Sequence, residues 1–123
     1  YKEALNRIIS ETEYYTDENG NEYGATYIKY EFRNEVAEYI NTLGNPHHIK
    51  YIMMMALDKG EYGQKSYRSI DPDFDVNEVA TIHGGGGHPR AASVNVTKEQ
   101  KEKALTLNRR EGLKYLADSK YNA

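Results

Sequence analysis

The stretch Ile82-His83-Gly84-Gly85-Gly86-Gly87-His88-Pro89-Arg90-Ala91-Ala92-Ser93 decides how the rest of the chain is read. Four consecutive glycines exceed the needs of one tight turn. Each lacks a Cβ, so the backbone can take φ > 0 and another group can approach the main chain closely. Successive N–H groups in such a run can converge on one concavity, which suits phosphate or another anion. His88 and Arg90 place two side-chain donors beside the run, and Ala91 and Ala92 keep the following stretch slim. A flexible linker is the bland alternative, but linkers are usually padded with Ser and other polar residues. Here a well-marked helix precedes the glycines and an apolar stretch follows them.

That helix is predicted over 76–82. Asp75 is placed to cap it with Glu78 at N3, giving a capping box, and Phe74 to staple onto Val79. It ends where the glycines begin, because Gly is favoured just past a helix end. In dinucleotide-binding and P-loop motifs the glycines precede a helix whose N-terminus holds phosphate. In this chain they follow one, so the dipole of that helix has the wrong sign. Anion binding then falls to the loop N–H groups, His88 and Arg68. Arg68 lies in a predicted strand, Lys65 to Ile70, where alternation puts Ser66, Arg68 and Ile70 on one face and Tyr67 and Ser69 on the other.

Gly84-Gly85-Gly86-Gly87-His88-Pro89-Arg90-Ala91-Ala92 resembles the GGGGHxxAA signature of the DHHA1 domain. Ser66, Arg68 and Ser69 resemble the S-x-R-S strand that precedes the glycine loop in that family; Ser93 stands where the family usually has Gly. The DHHA1 domain is the substrate-binding half of the DHH/DHHA1 phosphoesterases. These include RecJ-type exonucleases, oligoribonucleases that also dephosphorylate 3′-phosphoadenosine 5′-phosphate, and cyclic-dinucleotide phosphodiesterases. The resemblance implies a mixed central β-sheet flanked by helices. It implies substrate contacts through Arg68, Ser69, Gly84, Gly85, Gly86, Gly87 and His88. It also implies an N-terminal DHH domain of the same protein, whose Asp and His residues hold Mn²⁺ and carry out the hydrolysis. This chain lacks the Asp-His-His motif, and Pro46-His47-His48 is not a version of it. No catalytic residue, metal ligand or cofactor is therefore expected in the chain itself. His47, His48 and His83 are expected to be structural or surface residues.

With 123 residues the chain is read as one domain, 1–123, with a single modest core. Its net charge of −3 gives no basic field for a long duplex, so a short oligonucleotide or small nucleotide is the better-matched ligand. Without cysteine there is no disulfide scaffold or thiolate metal site, which fits a reducing cytoplasmic setting. No apolar run reaches membrane-spanning length; the longest, Ile49 to Leu57, contains Lys50. A sequence starting at Tyr1 reads as a C-terminal fragment of a longer phosphoesterase. Twelve tyrosines against two phenylalanines suggest that several rings lie at an interface.

The remaining elements complete an α/β pattern. A helix is predicted at 2–10, a turn at Asp17–Asn21 between tyrosine-bearing hairpin arms, and a strand at 25–30 with Thr26, Ile28 and Tyr30 on one face. Asn34 is expected to cap a helix through Val36, Tyr39, Ile40 and Leu43, ended by Gly44 and Pro46. Ile49 to Leu57 should be a strand buried on both faces, with Met53, Met54 and Met55 as core filler. Lys59-Gly60 should turn the chain. A strand follows at 91–96, then a helix from Lys98 with a Thr97/Gln100 capping box. Gly112 should weaken this helix, and its end beyond Ala117 should fray. The leading expectation is a DHHA1 domain of an oligoribonuclease- or exonuclease-like phosphoesterase, inactive by itself. A stand-alone nucleotide-binding module, and a structural domain whose glycines only permit close packing, are the alternatives.

Overall fold

The computed structural model describes residues 1–58 and 62–121; the expected turn at Lys59-Gly60 lies outside them. The elements are α1 (Lys2–Ser10), β1 (Glu13–Thr16), β2 (Glu22–Ile28), α2 (Arg33–Thr42), β3 (Tyr51–Ala56) and β4 (Gly63–Ser69). After them come α3 (Val76–Ile82), β5 (Gly86–Gly87), β6 (Ala91–Val96), α4 (Lys98–Leu105) and α5 (Arg109–Asp118). The six strands form one sheet in the order β1-β2-β3-β4-β6-β5. Only β2 and β3 run parallel, because the crossover between them carries α2; the other pairs are antiparallel.

The central strand behaves as its apolar run requires. Tyr51 to Ala56 is buried at every position, with the three methionines at 0 % exposure. Tyr51, Met53 and Met55 join a core cluster with Tyr67, Val79, Leu113 and Leu116, beneath α3, α4 and α5. Ile52 and Met54 join Leu5, Val36 and Ile40 beneath α1 and α2. The result is three layers, helices on both sheet faces. Helices α1 and α2 do not cover the whole of their face, and the outer part over β4, β6 and β5 stays polar, with Gln64, Ser66, Arg68, Ser93 and Asn95.

Local structure departs from expectation at several points. The expected strand at 25–30 starts earlier, at Glu22, and stops at Ile28; Tyr30 belongs to a 3-10 turn, Tyr30–Phe32, that feeds α2. That turn makes Phe32 the N-cap residue, so Asn34 lies inside the first helical turn and does not cap it. Asp75 caps α3 by accepting a bond from Asn77 N (2.8 Å), without the reciprocal Glu78 arm. Phe74 stacks on Tyr51, ring centroids 5.1 Å apart. The Thr97/Gln100 capping box forms. The C-terminal helix is two helices, because Asn108 caps a second start through Glu111 N. Gly112 serves the packing of that pair: a Cβ there would lie 2.7 Å from Ala104 O. Residues 118–121 are held: Ser119 O accepts from Lys65 Nζ (2.6 Å), and Tyr121 N donates to His83 O (2.9 Å).

Candidate functional site

The glycine run is a hairpin arm. Gly86 and Gly87 pair with Ser93 and Ala92. His88 and Ala91 exchange both backbone hydrogen bonds (2.9 and 3.2 Å), so Pro89-Arg90 make a two-residue turn. The amides expected to face a ligand are largely used within the chain. Gly84 N donates to Thr81 O (3.1 Å), Gly85 N to Ala80 O (2.8 Å) and His88 N to Ala91 O (2.9 Å). Gly87 N donates to Asn77 Oδ1 at 2.9 Å, which pins the hairpin to α3. From the other side, Val76 N donates to Pro89 O (2.9 Å). At Gly85 and Gly87 a side chain is excluded because β6 passes so close: a Cβ on Gly85 would sit 2.1 Å from Ser93 O. At Gly87, with φ +154°, it would sit 2.8 Å from Ala91 O.

Beside this hairpin, on the open part of the sheet, is a cavity of about 180 Å³. Its floor is Ser66 and Arg68 from β4 with Ser93 from β6; Gly86, Gly87 and Ala91 form one wall, and Tyr30 and Arg33 the other. Strand register explains the floor, since Ser66 pairs with Ser93 and Arg68 with Ala91 on one face. Arg68 is held in place: Nε (3.2 Å) and Nη2 (3.1 Å) both donate to Asn34 Oδ1, and Nη1 donates to Tyr67 O (3.1 Å). A guanidinium has five N–H groups, so two remain for a ligand. Burial, and then the positive charge of Arg33, press the Arg68 guanidinium below its ordinary range. Arg33 donates to Tyr30 O (3.1 Å) and lies 4.0 Å over the Tyr30 ring. Among the described residues no carboxylate is within ion-pair distance of Arg33 or Arg68. The first turn of α2 carries Arg33 and Asn34, so the positive end of that helix borders the same cavity.

The structure therefore brings Arg68, Gly86 and Gly87 together and leaves Ser69, Gly84, Gly85 and His88 out of the cavity lining. His88 is exposed at the hairpin turn. Gly84 and Gly85 lie behind the wall; a Cβ on Gly84 would meet Tyr121 O at 3.2 Å. Ser69 is on the opposite face from Arg68, buried, its hydroxyl without a hydrogen-bond partner among the described residues. Arg90 donates to Pro72 O, away from the cavity. Tyr30, Arg33 and Asn34 are not among the site residues expected from the sequence, because nothing local links them to Arg68, more than thirty positions later. The crossover through α2 makes that link.

The opposite face has a different character. A hollow of about 250 Å³ there is lined by Tyr23, Tyr51, Tyr67 and His83, with Asp17 and Asp118 at its edge. Tyr23 and Tyr51 stack, centroids 4.9 Å apart, and Tyr51 Oη donates to Asp17 Oδ2 (2.8 Å). Beneath it Lys65, 1 % exposed, donates to Leu116 O (2.9 Å) and Ser119 O (2.6 Å) at the end of α5. Burial lowers its ammonium to about 8. Burial also lowers His83, against the opposing effect of its hydrogen bond with Ser119 O. Among the described residues no three His, Asp or Glu side chains converge as a metal site would require. Among the described residues no donor set for manganese is gathered.

A mixed sheet with the glycine hairpin on one edge and an arginine-floored cavity beside it defines the class. The DHHA1 domain pattern matches residues 20–110, and the chain belongs to that family. No curated protein matches it by sequence. Among solved structures it is similar in fold to a pGpG-specific phosphodiesterase from Vibrio cholerae (TM-score 0.53, 13 % identity, covering 97 % of this chain and 39 % of that one). It is also similar to an exopolyphosphatase-related protein from Bacteroides fragilis (TM-score 0.54, 18 % identity, 94 % and 34 %). A DHH-domain member of the s1p family of ribosomal proteins gives TM-score 0.52 at 16 % identity, with coverage of 98 % and 31 %. The chain thus spans between about three and four tenths of the length of these proteins. Among the described residues no helix is long and apolar enough to cross a membrane.

Proposed function

We propose that this domain is the substrate-binding half of a DHH-type phosphoesterase and holds a short oligonucleotide or small nucleotide. The observation that carries this reading is the cavity beside the glycine hairpin, where Arg68 keeps two N–H groups unused and no carboxylate neutralises it among the described residues. Phosphate contacts come from side chains: Arg68, with the hydroxyls of Ser66 and Ser93 beside it. Because most of the hairpin amides are engaged at home, Gly86 and Gly87 serve as a wall without side chains, against which a sugar or phosphate lies close. Gly84 and Gly85 let that wall pack, and Ser69 backs the strand that carries Arg68. His88, exposed at the turn, reaches toward a terminal group of the substrate or toward the neighbouring domain. The hydrolytic step belongs to an N-terminal DHH domain, which supplies Mn²⁺ and a metal-activated water; this chain binds and orients. The setting is cytoplasmic, and the reaction is of the oligoribonuclease or exonuclease type.

Calorimetry of residues 1–123 with a diribonucleotide tests the reading. Binding should be measurable at submillimolar to millimolar concentration and should weaken roughly tenfold or more in Arg68→Ala, as expected for a charge-assisted hydrogen bond. Unchanged affinity in a folded Arg68→Ala variant, or no binding at millimolar ligand, would refute it.

A further inference from the structure

We infer that Arg33 is a second anion-binding side chain of this cavity, and that with Arg68 it selects a phosphoryl group carrying two negative charges over one carrying a single charge. The inference rests on the nucleotide-binding reading above and adds to it a residue and a charge preference.

Two guanidiniums share one hollow of about 180 Å³, and among the described residues its lining contains no Asp, Glu or His. Bringing two positive charges together while partly removing them from water is unfavourable. Arg68 is partly buried, and its charge is opposed by that of Arg33. Proteins ordinarily relieve such a pair with a carboxylate, yet none is within ion-pair distance of either residue among the described ones. The missing counter-charge is two units. A phosphodiester supplies one; a phosphate monoester above its second pKa of about 6 supplies nearly two.

Both arginines are also positioned in advance. Arg68 is fixed by Asn34 Oδ1 and Tyr67 O. Arg33 is fixed by its bond to Tyr30 O and by its place over the Tyr30 ring, Cζ 4.0 Å from the centroid; the bond to Tyr30 O uses one of its N–H donors. Ordering costs are thus met before the ligand arrives. Arg33 and Asn34 are consecutive on the first turn of α2, so one helix start supplies both the second guanidinium and the residue that aims the first.

The test uses residues 1–123 and three probes: adenosine 5′-monophosphate, its phosphate methyl ester, and adenosine. At pH 8 the wild type should bind the monophosphate about tenfold more tightly than the methyl ester. Lowering the pH to 5.5 should close most of that gap, because the ligand loses a charge. Arg33→Gln should weaken monophosphate binding about tenfold and change methyl ester binding less than twofold, and Arg33→Lys should retain part of the preference. Equal weakening of both ligands in Arg33→Gln, no weakening, or a wild type that binds monophosphate and ester alike, would overturn the inference while leaving nucleotide binding through Arg68 intact. The pH arm needs no variant, so a poorly folded Arg33→Gln does not rescue the idea. If the wild type binds neither nucleotide at millimolar concentration, the reading on which the inference rests falls with it.

Discussion

Gly85 and Gly86 are neighbours for which the structure assigns opposite consequences on gaining one methyl group. A Cβ on Gly85 would lie 2.1 Å from Ser93 O and 2.9 Å from Val94 Cα, both backbone atoms of β6 that cannot rotate away. The hairpin would have to move by about an ångström, breaking the short β5–β6 pairing. Overpacking of this kind costs about 1–3 kcal/mol. For a domain of this size, 2–3 kcal/mol corresponds to a fall in Tm of roughly 10 °C. At Gly86 the nearest atom to an added Cβ is Asn77 Oδ1 at 3.5 Å, an ordinary contact, and φ is not positive. Reduced freedom of the unfolded chain would offset any small strain, by about 0.4–1 kcal/mol. Gly86→Ala should therefore melt close to the wild type. Because Gly86 lines the cavity, its methyl group should instead weaken diribonucleotide binding severalfold, about 1 kcal/mol. Thermal melts by circular dichroism and calorimetric titrations on the two variants check both halves. A wild-type melt for Gly85→Ala, or equal destabilisation of the two, would show that the glycines are not there for the approach of β6.

Two further outcomes follow from the same structure. Lys65 is lowered to about 8 by burial, whereas in the unfolded chain it titrates near its ordinary 10.5. Between these values the unfolded state binds more protons, so stability should rise with pH from about 8 to 10, by about 2 kcal/mol at most. Above pH 10 it should fall, because buried Tyr23, Tyr51 and Tyr67 are raised well above the ordinary tyrosine range and resist ionisation that the unfolded chain undergoes. Urea titrations across pH 7–11 measure this, and Lys65→Met should lose the rise between 8 and 10. Residues 1–123 with added Mn²⁺ should leave a diribonucleotide intact, as no metal donor set is gathered among the described residues. Cleavage abolished by a substitution within the chain would place catalysis in this domain.

Where the sequence carried local, periodic or chemically marked signals, it led to the structure. The buried Tyr51–Ala56 strand, the Thr97 capping box and the helix running into the glycines could all be read directly. Errors arose where tertiary contacts competed with local rules. Asn34 has the chemistry of a cap, but a 3-10 turn starts the helix before it and frees its amide oxygen for Arg68. Gly112 looked like a weak point in one helix and is the place where two helices meet. The stretch 118–121 has no pattern of its own; it is held by Lys65 and His83, which only the fold brings to it. The glycine run stands out in the sequence, yet its amides are bonded to Thr81, Ala80, Asn77 and Ala91, partners that sequence reading could not pair with them. Arg33 could not be linked to Arg68 at all without the register of the sheet and the position of α2.

The central claim is that a nucleotide binds on the polar, arginine-bearing face beside the glycine hairpin. It is tested most directly by titrating ¹⁵N-labelled residues 1–123 with adenosine 5′-monophosphate and following backbone amides and arginine Nε–H signals together. The largest changes are expected at Arg33, Arg68, Ser66, Gly86, Gly87 and Ser93, with little movement at Tyr23, Tyr51 or His83 on the opposite face. Shifts centred on the tyrosine hollow, or none at millimolar nucleotide, would contradict it.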